Sequence, residues 1–315
     1  MTTLTRVETA RFLLERDRIV IVTHRRPDGD TLGSAALLCL GLRQLGKTAH
    51  VLYNPETTRR YLALQEGLTK PAVEVADTLV CVDVAAPELL PAGVLQEQIL
   101  LRIDHHASAT GFTPYALVDP TAAACGEILC DVLTEMGAEL DIPMANALYI
   151  AVSTDTGCFR YANTTSNSFA VASRCAAVSP ELFGINQMLF DTNSLGRLRL
   201  QGWLVEHALF LLDGQAVICA LPRSVEEDLQ LTEEDMENIS GFPRSIEGVK
   251  ISAMLRQEKS GGVKLSVRAV PGWDAAAVCV TFGGGGHKGA AGATLHMSME
   301  DAITALKAEF LKTER

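Results

Sequence analysis

Three continuous apolar runs, RIVIVTH (18–24), DTLVCVDVA (77–85) and QILLRIDHH (98–106), constrain this chain more than any other feature. None shows the strict alternation of a strand with one wet face, so each reads as a strand buried on both faces of a parallel sheet. Between the first two, LGSAALLCLGLRQLG has helical apolar spacing and ends on Gly46, a glycine C-cap. TAHVLYN (48–54) adds a strand, and helical patterns follow around 124–137 and 143–153. The alternation predicts an α/β fold whose N-terminal part is a doubly wound, mostly parallel sheet.

Ligands of such sheets gather beyond the carboxyl ends of the strands. The polar residues fall there: His24, Asp28 and Asp30 after the first run, Asp83 ending the second, and Asp104-His105-His106 ending the third. Asp155 follows in STDTG. Singly, each has an ordinary account. Asp28-Gly29 is a turn dipeptide, with Gly29 letting the chain bend, and Asp83 could cap a helix. A lone histidine is more often a satisfied core residue. Taken alone, VTHRRPDGDTLGSA (22–35) admits a hydrogen-bonded turn, a phosphate loop or a metal site. Jointly the ordinary accounts weaken, because four converging carboxylates repel unless protonated or offset by cations. Mixed carboxylate and imidazole donors suit manganese, with magnesium, iron, cobalt and zinc also admissible.

At 315 residues the chain is long enough for two domains. We expect them at 1–190 and 206–315, joined by a linker over 191–205 that opens with the polar DTNSLGRLRL. Beyond it AVICALP (216–222), VKISAML (249–255) and VKLSVRAV (263–270) read as strands, the last two forming a hairpin around EKSGG. SVEEDLQLTEEDMENIS reads as a solvated helix face. A net charge of −11 argues against a protein that coats long nucleic acid and favours small phosphates. The eight cysteines match no zinc pattern and read as reduced, buried thiols. With a polar N-terminus and no apolar run of membrane-spanning length, a cytoplasmic enzyme is expected.

Set in order, HRRPDGDTLGS, CVDVA, DHH and STDTG, followed by FGGGGHKGAAGA (282–293), resemble the DHH phosphoesterases with their associated DHHA1 domain. The closest likeness is to the nanoRNA oligoribonuclease and pAp phosphatase branch, and it runs from about residue 15 to the end. The resemblance implies a catalytic DHH domain and a smaller α/β DHHA1 domain across a cleft. It also implies two divalent ions, most readily manganese. His24, Asp28 and Asp83 would hold one, and Asp30, Asp83, His105 and Asp155 the other, with Asp83 bridging. His106 would touch the scissile phosphate and protonate the leaving oxygen, orientation of a ligand being its alternative role.

The substrates so implied are short oligoribonucleotides, cleaved to mononucleotides, and pAp, cleaved to AMP and phosphate. A linear or cyclic dinucleotide phosphodiesterase acting on pApA or c-di-AMP is the nearest alternative. A non-catalytic nucleotide sensor on the same fold is another. Expected partners are short RNA and small nucleotides, with no membrane and no long duplex; a homodimer is left open.

Substrate binding is expected from Arg268, Arg160 and the loop Gly284, Gly285, Gly286, His287 and Lys288. Gly284, Gly286 and Gly289 also satisfy G-x-G-x-x-G, but 26 residues after Gly289 are too few for a Rossmann half. Lys288 precedes glycine, which excludes a Walker loop. The glycines permit close backbone approach to a ligand. Arg256, at a place on the hairpin matching Arg268, reads as solvated, and Arg25 and Arg26 carry no assignment.

Overall fold

The computed structural model describes residues 1–107, 111–259 and 261–312. They form two compact units, Met1–Thr192 and Asn193–Arg315. In the first, the strands are β1 (Thr2–Thr3), β2 (Ile19–Val22), β3 (Ala49–Leu52), β4 (Thr69–Lys70), β5 (Thr78–Val82), β6 (Ile99–Asp104) and β7 (Tyr115–Val118). They form one sheet in the order β1-β7-β6-β5-β2-β3-β4, every neighbouring pair parallel. The order turns outward in opposite directions from the β2/β5 junction, a switch point that leaves a crevice at the strand ends.

The helices are α1 (Arg6–Leu14), α2 (Gly29–Gln44), α3 (Cys125–Glu135), α4 (Ile142–Asp155), α5 (Ser166–Val178) and α6 (Leu182–Asn186). Residues of α1 to α5 share one core with Ile19 and Ile21 of β2. Val20 and Val22 point the other way, into a smaller core with Leu90, Val94 and Phe112. Helical cover is therefore one-sided, and the opposite face is closed by loops and short 3₁₀ turns. The apolar runs are continuous because both faces are nonetheless dry.

Helices α2 and α4 approach closely because glycine lines the contact. A Cβ on Gly33 would stand 2.5 Å from the Ala147 carbonyl oxygen, and one on Gly29 2.4 Å from Thr154 Oγ1. Gly29 is thus the first helical residue of α2 and a packing position, not the bend expected between Asp28 and Asp30. Gly46 follows α2 at φ +77°, as a glycine cap does.

The second unit holds α7 (Leu195–Glu206), β8 (Leu209–Leu211), β9 (Ala216–Leu221), α8 (Arg223–Asp228), β10 (Ile251–Gln257) and β11 (Val263–Ala269). It continues through α9 (Ala275–Val280), β12 (Gly285–His287), β13 (Ala290–Leu295) and α10 (Met299–Phe310). Its sheet runs β12-β13-β11-β10-β9-β8, antiparallel except for β9 beside β10. Alternate residues of β11, Val263, Leu265, Val267 and Ala269, bury one face against α9 and α10. Leu200 and Leu204 of α7 pack on the other face with Val217 and Met254. Strands β10 and β11 pair as an antiparallel hairpin; Ser260 of its EKSGG turn lies outside the described residues.

The acidic stretch 224–240 is not a solvated helix face. The only α-helix there is α8, and Glu226 and Asp235 are buried. Arg223 and Arg256 donate to Glu226, while Ser194 and Thr232 donate to Asp235.

Candidate metal centre

Parallel strands deliver the polar residues to one place. His24 follows β2, Asp28 is the N-cap of α2 and accepts from the Thr31 amide, and Asp30 lies in the first turn. Asp83 follows β5 in a left-handed conformation, φ +58°, which aspartate tolerates better than most residues. Its amide donates to the Ile103 carbonyl at 2.9 Å. His105 and His106 follow β6, and Asp155 ends α4.

Three groups of ligand atoms converge: His24, Asp28 and Asp83; Asp30, His105 and Asp155; and Asp83, His105 and His106. His24 Nε2 lies 3.9 Å from Asp28 Oδ1 and 4.0 Å from Asp83 Oδ2. His105 Nε2 lies 3.5 Å from Asp83 Oδ1 and 3.7 Å from both Asp30 Oδ2 and Asp155 Oδ2. Asp83 faces both histidines, one with each oxygen.

The two rings are oriented from behind. His24 Nδ1 meets the Arg25 carbonyl at 2.7 Å and His105 Nδ1 the Ala122 carbonyl at 3.2 Å. A carbonyl acceptor places the proton on Nδ1 and leaves each Nε2 lone pair facing the carboxylates, the usual arrangement of a metal-binding imidazole.

Asp30 is 2% exposed and Asp83 3%, and both are held well above the ordinary carboxylate range. For each the leading cause is burial. Repulsion follows, from Asp155 and Asp28 on Asp30, and from Asp30 and Asp28 on Asp83. Asp155 is raised too, chiefly by burial. Partial relief comes from the α3 N-terminus, where the Cys125 and Gly126 amides donate to Asp30 at 2.7 and 3.1 Å. Ser34 Oγ donates to Asp30 and Thr31 Oγ1 to Asp83. Among the described residues, buried Asp83 Oδ1 meets no hydrogen-bond donor. A mutually repelling donor set with a bare buried oxygen fits divalent cations.

His106 differs from its neighbours. Its Nδ1 lies 2.8 Å from Asp104 Oδ1, which also accepts the His106 amide at 3.1 Å, and Asp104 is fully buried. This hydrogen bond is the main cause raising the His106 pKa above its usual value, against burial. It also commits Nδ1, leaving Nε2 for the cavity of about 240 Å³ that His106 lines with His24, Asp28, Asp83 and Asp155.

Residues 18–152 match the DHH family, N-terminal domain, and residues 214–313 match the DHHA1 domain. The chain belongs to the DHH family. A relative from Thermus thermophilus, the bifunctional oligoribonuclease and PAP phosphatase NrnA, is 34% identical over 279 residues, 88% of this chain and 84% of that one. A probable enzyme of the same name from Streptococcus mutans is 26% identical over 291 residues, covering 90% and 92%. In fold, the crystal structure of an exopolyphosphatase-related protein from Bacteroides fragilis superposes with a TM-score of 0.84 at 24% identity, covering 98% of this chain and 96% of that one.

In the DHHA1 unit the expected substrate residues take varied positions. Arg268 is half-buried, donating to the Val267 carbonyl at 3.0 Å and Ser240 Oγ at 3.1 Å. Arg256 does not match it: it pairs with Lys264 across the hairpin, whereas Arg268 pairs with Ser252. Nor is Arg256 merely solvated, since Glu226 and Glu233 hold it. His287 and Lys288 are exposed at the end of β12. A Cβ on Gly284 would meet the Gly292 oxygen at 2.2 Å, and one on Gly286, at φ +145°, the Ala290 oxygen at 2.6 Å. Those two glycines serve the β12–β13 crossing, while Gly285 faces open space. In the DHH unit, Arg160 is exposed and donates to the Gly157 carbonyl at 2.7 Å. Sequence reasoning passed over Thr31, Ser34 and the α3 amides, and named Asp104 without giving it a role. Only Asp104 left a sequence signal, its place beside two histidines.

Proposed function

We propose that this chain is a two-metal phosphoesterase that hydrolyses short oligoribonucleotides to mononucleotides and pAp to AMP and phosphate. The observation that carries the reading is the convergence of six donors, His24, Asp28, Asp30, Asp83, His105 and Asp155, with both ligand imidazoles oriented from behind. The names of the relatives from T. thermophilus and S. mutans support it. His24, Asp28 and Asp83 would hold one ion, and Asp30, Asp83, His105 and Asp155 the other, with Asp83 shared between them. Manganese is our choice for this mixed oxygen and nitrogen set.

Bound divalent ions supply Lewis-acid charge stabilisation and water of lowered pKa. The protein does the rest. Asp104 fixes the His106 ring so that Nε2 faces the substrate phosphate, from where it hands a proton to the leaving oxygen. In the DHHA1 unit we assign Arg268, Gly285, His287 and Lys288 to nucleotide binding. Among the described residues the Arg268 guanidinium forms no ion pair, and its charge suits a terminal phosphate. All eight cysteines are free, which suits the cytoplasm. Among the described residues no helix is long and apolar enough to cross a membrane.

Product mapping with manganese on pApA, longer RNA, pAp, c-di-AMP and pyrophosphate tests the reading. We expect AMP from pApA and AMP with phosphate from pAp. Metal-replete protein that binds pApA without cleaving it would instead be a sensor; turnover confined to c-di-AMP would make it a cyclic dinucleotide phosphodiesterase.

A further inference from the structure

The Arg25 carbonyl holds His24 Nδ1, but the side chains of Arg25 and Arg26 are left without a role by the metal centre. Both line the cavity of about 240 Å³ whose wall also carries His24, Asp28, Asp83, His106 and Asp155. The Arg25 backbone is pinned, its amide donating to the Leu89 carbonyl at 2.7 Å. Its side chain is exposed and, among the described residues, forms no ion pair. Arg26 takes a left-handed backbone, φ +53°, ahead of buried Pro27, and its Nε lies 3.4 Å from Glu56. Non-glycine residues held in that region are costly and concentrate at functional sites.

An arginine kept only to offset the acidic wall would pair with Asp28, whose exposed carboxylate stands three residues away. Arg25 does not, so its charge stays available to an incoming anion. We propose that Arg25 sets the preference for a terminal phosphoryl group over an internal phosphodiester; this rests on the phosphoesterase reading above. A terminal phosphoryl group presents three non-bridging oxygens and about two charges near neutrality. An internal diester presents two such oxygens and one charge. The terminal group thus offers the charged guanidinium fork one more oxygen and about one more charge than the diester does. Arg25 thereby decides how activity divides between pAp and RNA.

The test measures kcat/KM for pAp and pApA, with manganese content, in wild type, Arg25→Ala and Arg25→Lys. Arg25→Ala should lower kcat/KM on pAp by about ten- to hundredfold, the worth of a charged hydrogen-bonding contact, and on pApA by less than about threefold. Arg25→Lys should fall between, retaining charge without the fork. An equal fall on both substrates, or none on either, overturns the inference while leaving the phosphoesterase reading intact. Loss of manganese from Arg25→Ala also overturns it, assigning Arg25 to upkeep of the centre. A wild type that cleaves neither substrate overturns the phosphoesterase reading and this inference with it.

Discussion

Replacing Gly29 with alanine places a methyl carbon 2.4 Å from Thr154 Oγ1, 2.5 Å from Cγ2 and 2.8 Å from Cβ. Rotating Thr154 moves its first two atoms but not Cβ, and Oγ1 is already engaged by the Ile150 carbonyl at 2.8 Å. Helices α2 and α4 must therefore part by up to about 1 Å. Overpacking of this kind costs roughly 1–3 kcal/mol, offset by at most about 1 kcal/mol from exchanging glycine for alanine in a helix. Function should suffer more than stability. Gly29 lies between Asp28 and Asp30, and Thr154 precedes Asp155, so the displacement pulls apart donors that must meet. A misplacement near 1 Å costs about a hundredfold in rate. Urea unfolding, manganese titration and kcat on pAp for Gly29→Ala, Thr154→Gly and the double variant form a cycle. Removing the Thr154 side chain should restore about 1 kcal/mol or more to the alanine variant and recover part of its activity. Wild-type manganese affinity in Gly29→Ala, or losses that simply add, would refute this account of the helix contact.

Asp104→Asn should lower kcat by about 10²- to 10⁴-fold, the usual worth of a positioned acid–base group, with manganese content unchanged; an unaltered kcat would mean Asp104 does not prepare His106. Asp83→Ala should lose both turnover and metal, so two retained ions per chain would contradict its bridging role. Stripping metal with a chelator should lower the melting temperature. Manganese at a hundredfold its Kd should restore about 2.7 kcal/mol, and a melting temperature blind to manganese would count against the centre. Burial first, then Asp155 and Asp28, raise Asp30 above the ordinary carboxylate value of 3.8. The stability this protonated group provides in metal-free protein is thus complete below that value and lost as pH rises through the raised one. Metal-free Asp30→Asn should therefore gain on wild type progressively with rising pH; a pH-independent difference would exclude the repulsion.

The parallel sheet was legible because strands dry on both faces leave runs such as IVIV of β2. His24, Asp28, Asp30, Asp83 and His105 were legible as candidates because they follow the ends of such strands, whereas Asp155 ends a helix and was marked by STDTG alone. What escaped were contacts made by backbone or by distant partners. The amides of Cys125 and Gly126 reach Asp30 from 95 and 96 residues away, and an amide has no letter of its own. The acidic stretch misled for a related reason, since Arg256 and Ser194, which bury its Glu226 and Asp235, lie outside it. Gly29 was misjudged as a bend because glycine beside aspartate signals a turn, whereas its work is to admit a neighbouring helix.

The proposed donors of the centre lie up to 131 positions apart, from His24 to Asp155, and no two of the four segments that carry them adjoin in sequence. A chain emerging during synthesis holds His24, Asp28 and Asp30 long before α4 exists. Up to that moment the set of Asp30, Asp83, His105 and Asp155 is incomplete, although His24, Asp28 and Asp83 are already present. Affinity for the second ion would therefore be completed late, when α4 docks against α2 and Asp155 joins Asp30 and His105. Uptake of a second divalent ion would then serve as a clock for completion of the DHH unit, since a cation that binds only the finished arrangement draws the last stage of folding forward.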